Sequence, residues 1–160
     1  MMRKCVLLLA GLVLLLAASC GDGSCYDNSN SLPLVRFYAS GGGQVTVSGV
    51  SLRGIDAPAD SMLVKNQALS ETYLPLRATR ESTQWIIEVA AVGGSGSLSD
   101  TLTVDYKSIP YFASAECGAM YSFELKSVDI THHMIDSVVV MQPVVKNEAH
   151  ETMRIYFKKQ

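Results

Sequence analysis

The chain opens with one apolar run and continues as short alternating segments. Val6 to Ala18, VLLLAGLVLLLAA, holds thirteen residues without a charge and follows Arg3 and Lys4. A helix of that length falls short of the roughly 20 apolar residues that cross a bilayer core. A basic start, a short apolar run and small residues after it describe a secretory signal peptide over residues 1–19, with a membrane helix as the alternative. Residues 20–31 lack periodicity and are rich in Gly, Ser, Asn and Asp, so they read as a linker. Strand-like segments follow. LPLVRFYA (Leu32 to Ala39) is apolar, and QVTVSGVSL (Gln44 to Leu52) sets Val45 and Val47 against Thr46 and Ser48. TQWIIEVAA (Thr83 to Ala91) puts Trp85, Ile87 and Val89 together. DTLTVDY sets Leu102, Val104 and Tyr106 against Thr101, Thr103 and Asp105. MYSFELKSV sets Tyr121, Phe123 and Leu125 against Ser122, Glu124 and Lys126. DSVVVMQP and MRIYFK complete the set.

Period-two alternation bounded by Gly, Pro, Asn and Asp is the strand signal. Gly41–Gly43 and Gly93–Ser97 supply two of those breaks. Only Lys146 to Met153 could form a helical turn, and a hairpin loop suits it equally. About seven to nine strands with one apolar face each must bury those faces on one another. The fold class is therefore all-β, an antiparallel β-sandwich over residues 32–160 as one domain. Immunoglobulin-like topology is one option and a partly closed barrel another. Cys25 precedes the first strand, so the immunoglobulin cysteine spacing around a strand Trp is absent.

LAASC, Leu16 to Cys20, resembles the lipobox of bacterial lipoproteins. That resemblance implies a diacylglycerol on the Cys20 thiol, cleavage before Cys20 and acylation of the new amino group. Two or more acyl chains hold a protein on a membrane stably without a spanning helix. Cys5 would leave with the signal peptide and Cys20 would carry lipid, so Cys25 and Cys117 remain. In an oxidising compartment such a pair is expected to bridge, the alternative being two thiols. The bridge would leave five steps between the lipid and the domain, about 17 Å at most. The Cys117 loop would then face the bilayer.

The elements CYDNSNSLPLVRFY, ETYLPL, DTLTVDYKSIPYFASAECGAMYSFEL and DSVVV resemble a family of small Bacteroidetes outer-membrane lipoproteins of unknown function. The resemblance implies a mostly β envelope protein with no assigned activity, and an outer-membrane barrel protein as partner. The residues after Cys20 lack a dense acidic run resembling a surface-export signal, which favours the periplasmic face of that membrane. Asp60–Ser61, Asp100–Thr101 and Asp136–Ser137, each followed by an apolar residue, resemble an O-glycosylation sequon of exported proteins in that phylum. They make Ser61, Thr101 and Ser137 candidate acceptors. Asp and hydroxyl residues opening a strand explain the same triplets.

Charge and motifs narrow the function classes. Removing Arg3 and Lys4 from 13 basic residues leaves 11 against 15 acidic ones, and the longest basic cluster is Lys158–Lys159. That balance argues against nucleic acid, which needs a concentrated basic face. No G-x-S-x-G, H-E-x-x-H or P-loop is present, so the reading is non-enzymatic, with no cofactor and no metal. A soft copper site from His132, His133, Met134 and Met141 is conceivable, but a solvated loop is the default. Asp56 and Asp60 lie in a Pro-containing turn and fall short of the oxygens calcium needs. Glu116, beside Cys117, reads as a polar neighbour of the disulfide. A binding module for an envelope partner is the first expectation. A small-ligand or glycan binder using Tyr111 and Phe112 as a platform is the second. An enzyme ranks third, and a pocket joining a His to a carboxylate would revive it.

Overall fold

The computed structural model describes residues 31–56, 62–91, 96–114 and 117–159. Its ten elements are all strands: β1 (Leu34–Ala39), β2 (Val47–Gly54), β3 (Met62–Leu69), β4 (Glu71–Tyr73), β5 (Ser82–Ala90), β6 (Ser97–Ser114), β7 (Gly118–Ile130), β8 (Ile135–Val140), β9 (Val144–Val145) and β10 (Glu151–Phe157). One sheet runs β4-β1-β10-β8 and the other β3-β2-β5-β6-β7-β9. Neighbours are antiparallel except β1 and β10, which run parallel. The β-sandwich expected from the alternation is thus present. Its strand order is not the immunoglobulin one, which separates strands A-B-E-D from C-F-G. Here β5, β6 and β7 form one meander within the larger sheet.

The core is built from the alternating positions. Val35, Phe37, Met153 and Ile155 of the smaller sheet are fully buried, as are Val50, Leu52, Leu102 and Val104 of the larger one. Burying each such side chain stabilises the fold by about 1.5–3 kcal/mol. The β2 segment breaks its alternation midway: Val45 and Val47 share one phase, Val50 and Leu52 the other. Gly49 sits between them at φ 74°, and the pairing of β2 with β3 shifts register there. A Cβ on Gly49 would lie 3.0 Å from the Ala90 Cβ, so this bulge needs glycine. The stretch from Lys146 to Met153 is neither helix nor hairpin loop. It links β9 in one sheet to β10 in the other.

Tyr106 ties the loop before β5 to the core. Its hydroxyl lies 2.7 Å from Thr83 Oγ1, donates to the Arg77 carbonyl at 3.0 Å and accepts the Arg77 N–H at 3.0 Å. Its ring meets Phe123 edge-on, with centroids 5.4 Å apart. Replacing Tyr106 by Phe keeps the ring but strips the buried Thr83 hydroxyl and two part-buried Arg77 backbone groups of a partner. We expect a loss of about 1–3 kcal/mol in urea unfolding. An unchanged midpoint would show that the hydroxyl contributes nothing.

The length of β6 organises the rest. It has 18 residues and β10 has 7. At about 3.3 Å per residue, β6 overshoots the smaller sheet at both ends. Past Asp105, β5 no longer pairs with β6, and β9 reaches only Phe123 and Glu124 of β7. Among the described residues, β6 from Ile109 to Ser114 therefore pairs only with Gly118 to Ser122 of β7, as a two-stranded arm. That explains how Pro110 fits inside a strand: it lies where one edge of β6 is open. Two strands alone are marginal in water. Two ties hold this arm. Ser31 Oγ donates to the Tyr121 carbonyl at 2.8 Å, and Cys117 is disulfide-bonded. Cys5, Cys20 and Cys25 all lie outside the described residues.

Candidate functional site

Alternation along β6 places Asp100 on the same inner face as Leu102, Val104 and Tyr106, and all four are buried. The carboxylate meets the segment that joins β7 to β8 across the two sheets. Its Oδ1 accepts the Thr131 hydroxyl and the His133 N–H, both at 2.7 Å. Its Oδ2 accepts the N–H groups of Met134 and Ile135, both at 2.8 Å. Burial pushes this carboxyl up, but the three backbone N–H groups and the Thr131 hydroxyl outweigh it and hold it at about 2, below the ordinary 3.8. A buried charge persists only when paired or hydrogen-bonded in this way. Sequence reading missed this role and took Asp100 as the opening of a strand. In fact β6 begins three residues earlier, at Ser97. The signal was available: a carboxylate at an inner position of a period-two pattern.

The His133 ring leans on the same carboxylate, with Nδ1 3.0 Å from Asp100 Oδ1, while the side chain stays exposed. Such a contact fixes the tautomer and leaves the other ring nitrogen outward. His133 and Met134 line a cavity of about 450 Å³ between the sheet ends, with Val47, Val89, Leu98 and Phe157. Lys158 and Lys159 stand at its mouth. Of this His–carboxylate pair only His133 lines the cavity, because Asp100 is buried beneath it, so the pocket does not join a His to a carboxylate as a catalytic reading requires. Nor, among the described residues, is a hydroxyl or thiol hydrogen-bonded to the outward ring nitrogen. A base without an aligned nucleophile is an incomplete catalytic set.

The copper-type set is not brought together. His132 Nδ1 faces the Ile135 carbonyl at 3.4 Å, Met134 is buried, and Met141 is exposed beyond the far end of β8. Among the described residues no three His, Cys, Asp or Glu side chains form a metal-sized group. His150 stands 3.8 Å from Glu148, both exposed. Asp56 closes β2 at φ 62°, and Asp60 lies outside the described residues, as do Ser61 and Glu116. Of the other two glycosylation candidates, Thr101 is half-buried within β6 and Ser137 is half-buried on the edge strand β8.

The opposite end of β6 presents the arm. Phe112 is 73% exposed, and Ile109, on the opposite face of the same strand, is exposed too. Tyr111 is half-buried, its hydroxyl 3.8 Å from the Met120 sulfur. The aromatic platform expected from Tyr111 and Phe112 is therefore mainly Phe112. A further aromatic group lies on the outer face of the smaller sheet. There Arg154 sits over the Tyr38 ring at 4.9 Å, and Glu151 accepts both the Tyr38 hydroxyl at 2.9 Å and the Arg154 guanidinium. These charges satisfy one another.

A family model, described as a family of unknown function (DUF6452), matches residues 44–157. The chain belongs to that family. No curated protein and no solved structure matches it. The span matched to DUF6452 holds β2 through β10, and with them Asp100, the inter-sheet segment and the Cys117 arm. It leaves out β1, Lys158 and Lys159, and the cysteines of the first 25 residues.

Proposed function

We propose that this chain is a lipid-anchored envelope protein, held at the outer membrane through Cys20 and acting there as a non-enzymatic binding or accessory module. One observation carries the reading. Cys117 is disulfide-bonded, and every other cysteine of the chain precedes Ser31. Disulfides persist in oxidising, exported compartments, which agrees with a signal peptide. Ser31 meets the arm at Tyr121, four residues from Cys117, so Cys25 has only a short path to it. Cys25 as the partner leaves the Cys20 thiol for lipid. The arm, with Phe112 exposed, then faces the bilayer on its periplasmic side. A barrel protein of the same membrane is the partner we favour.

A catalytic reading is favoured only by the His133–Asp100 pair, and a glycan reading only by Phe112. Among the described residues neither has a second group in place. The anchor is tested by Cys20→Ala. Stable attachment needs two acyl chains or more, so this variant should pass from the membrane fraction to the soluble envelope fraction with its fold intact. A variant that stays with membranes at the parent level would refute the anchor.

A further inference from the structure

At the Leu98 end the inner face of the larger sheet runs past the smaller sheet, and the described residues leave a cavity between them. Leu98 has the same phase on β6 as the buried Asp100, Leu102 and Val104, yet it is 55% exposed. Val89 pairs with it across β5, and Val47 continues the apolar floor on β2. Met134 and Phe157 form the facing wall. That wall is fixed from two sides. Asp100 holds the Met134 N–H, and Phe37 backs Phe157 edge-on with ring centroids 5.3 Å apart. The cavity is thus preformed and mainly apolar, with Thr46 and Ser48 also in its lining, and its size of about 450 Å³ lies within the range of small-molecule sites.

Among the described residues its mouth carries positive charge only. Lys158 Nζ donates to the His132 carbonyl at 2.7 Å, which stations that ammonium at the rim, and exposed Lys159 stands beside it. Among the described residues no carboxylate lines the cavity. Asp100 lies beneath His133 with both oxygens engaged. An apolar body with a cationic mouth is complementary to a ligand of the reverse pattern.

We propose that this cavity binds a single acyl chain with an anionic head, the chain against Leu98, Val89 and Phe157 and the head at Lys158 and Lys159. A fatty-acid carboxylate and a lysophospholipid phosphate share this chemistry. The site goes beyond the envelope reading and does not depend on the anchor at Cys20.

Titration of the purified protein with dodecanoate, lauroyl-lysophosphatidic acid, dodecanol and dodecyltrimethylammonium tests it. One or both anionic probes should bind, and about tenfold or more tighter than the neutral and cationic ones. Which of the two binds tighter identifies the head group. Lys159→Glu alone, and Lys158→Glu with Lys159→Glu, should each weaken the anionic probes about tenfold or more while the circular dichroism stays unchanged. Leu98→Gln, at an exposed position that leaves the fold intact, should weaken every probe. Absence of binding, equal affinity for anionic and cationic probes, or indifference to the lysine reversals would each overturn the proposal.

Discussion

Replacing Asp100 by alanine is expected to destabilise the domain by about 3–5 kcal/mol at neutral pH, the largest loss we anticipate from one side chain. The reason is what remains after the carboxylate is gone. The N–H groups of His133, Met134 and Ile135 and the Thr131 hydroxyl would all face a site without an acceptor. Unpartnered buried donors carry their full desolvation penalty. The segment they belong to carries the chain from one sheet to the other, so its loosening separates the layers. The same group sets an acid limit. Its carboxyl is held at about 2, against 3.8 ordinarily, so its contribution is complete above the ordinary value and is lost as the pH falls through 4 toward 2. A shift of that size is worth about 2–3 kcal/mol. Urea unfolding of the parent and of Asp100→Ala, at neutral pH and again near pH 3, checks both parts. The gap between them should narrow in acid. A gap that is small at neutral pH, or the same at both, would show that the carboxylate is not the tie.

Loss of the Cys117 disulfide is expected to cost nearly as much. Its partner precedes Ser31, so the bond closes a loop of about 90 residues or more. In the chain-entropy model such a loop is worth up to about 4.5 kcal/mol. Cys117→Ser should therefore lower the unfolding midpoint sharply, and it should act unevenly. Neither β5 nor β9 flanks the arm from Ile109 to Ser122, so its amides should exchange with solvent much faster in the variant. Exchange in β5 and the central part of β6 should change only as far as global stability does. An arm that stays as protected as in the parent would show that its own pairing suffices.

What the sequence revealed, and what it hid, follow from the same physics. Strands buried on one face alternate clearly, and β5, β6 and β10 were legible for that reason. β3 was not. It is an edge strand with most residues exposed, so MLVKNQAL carries no inward pattern. β4 has three residues and buries none of them fully. The arm was hidden by Pro110, which ordinarily argues against a strand and is tolerated only because β5 has already ended. The parallel pairing of β1 with β10 depends on how distant segments meet, which no local period encodes. At the site, Asp100 stood on the apolar phase in plain view, but a turn-opening reading absorbed it. Lys158–Lys159 is too short for a basic footprint. It gains meaning only where the fold sets it over Leu98 and Phe157.

The identity of the cysteine joined to Cys117 is the decisive quantity, because the same thiol cannot carry both a lipid and a disulfide. The protein should be extracted from membranes with its thiols blocked, digested without reduction, and its linked peptides identified by mass. The expected product joins Cys25 to Cys117, with Cys20 at the amino terminus carrying diacylglycerol and a further acyl chain. A peptide joining Cys20 to Cys117 would contradict both the anchor and the orientation of the arm toward the membrane.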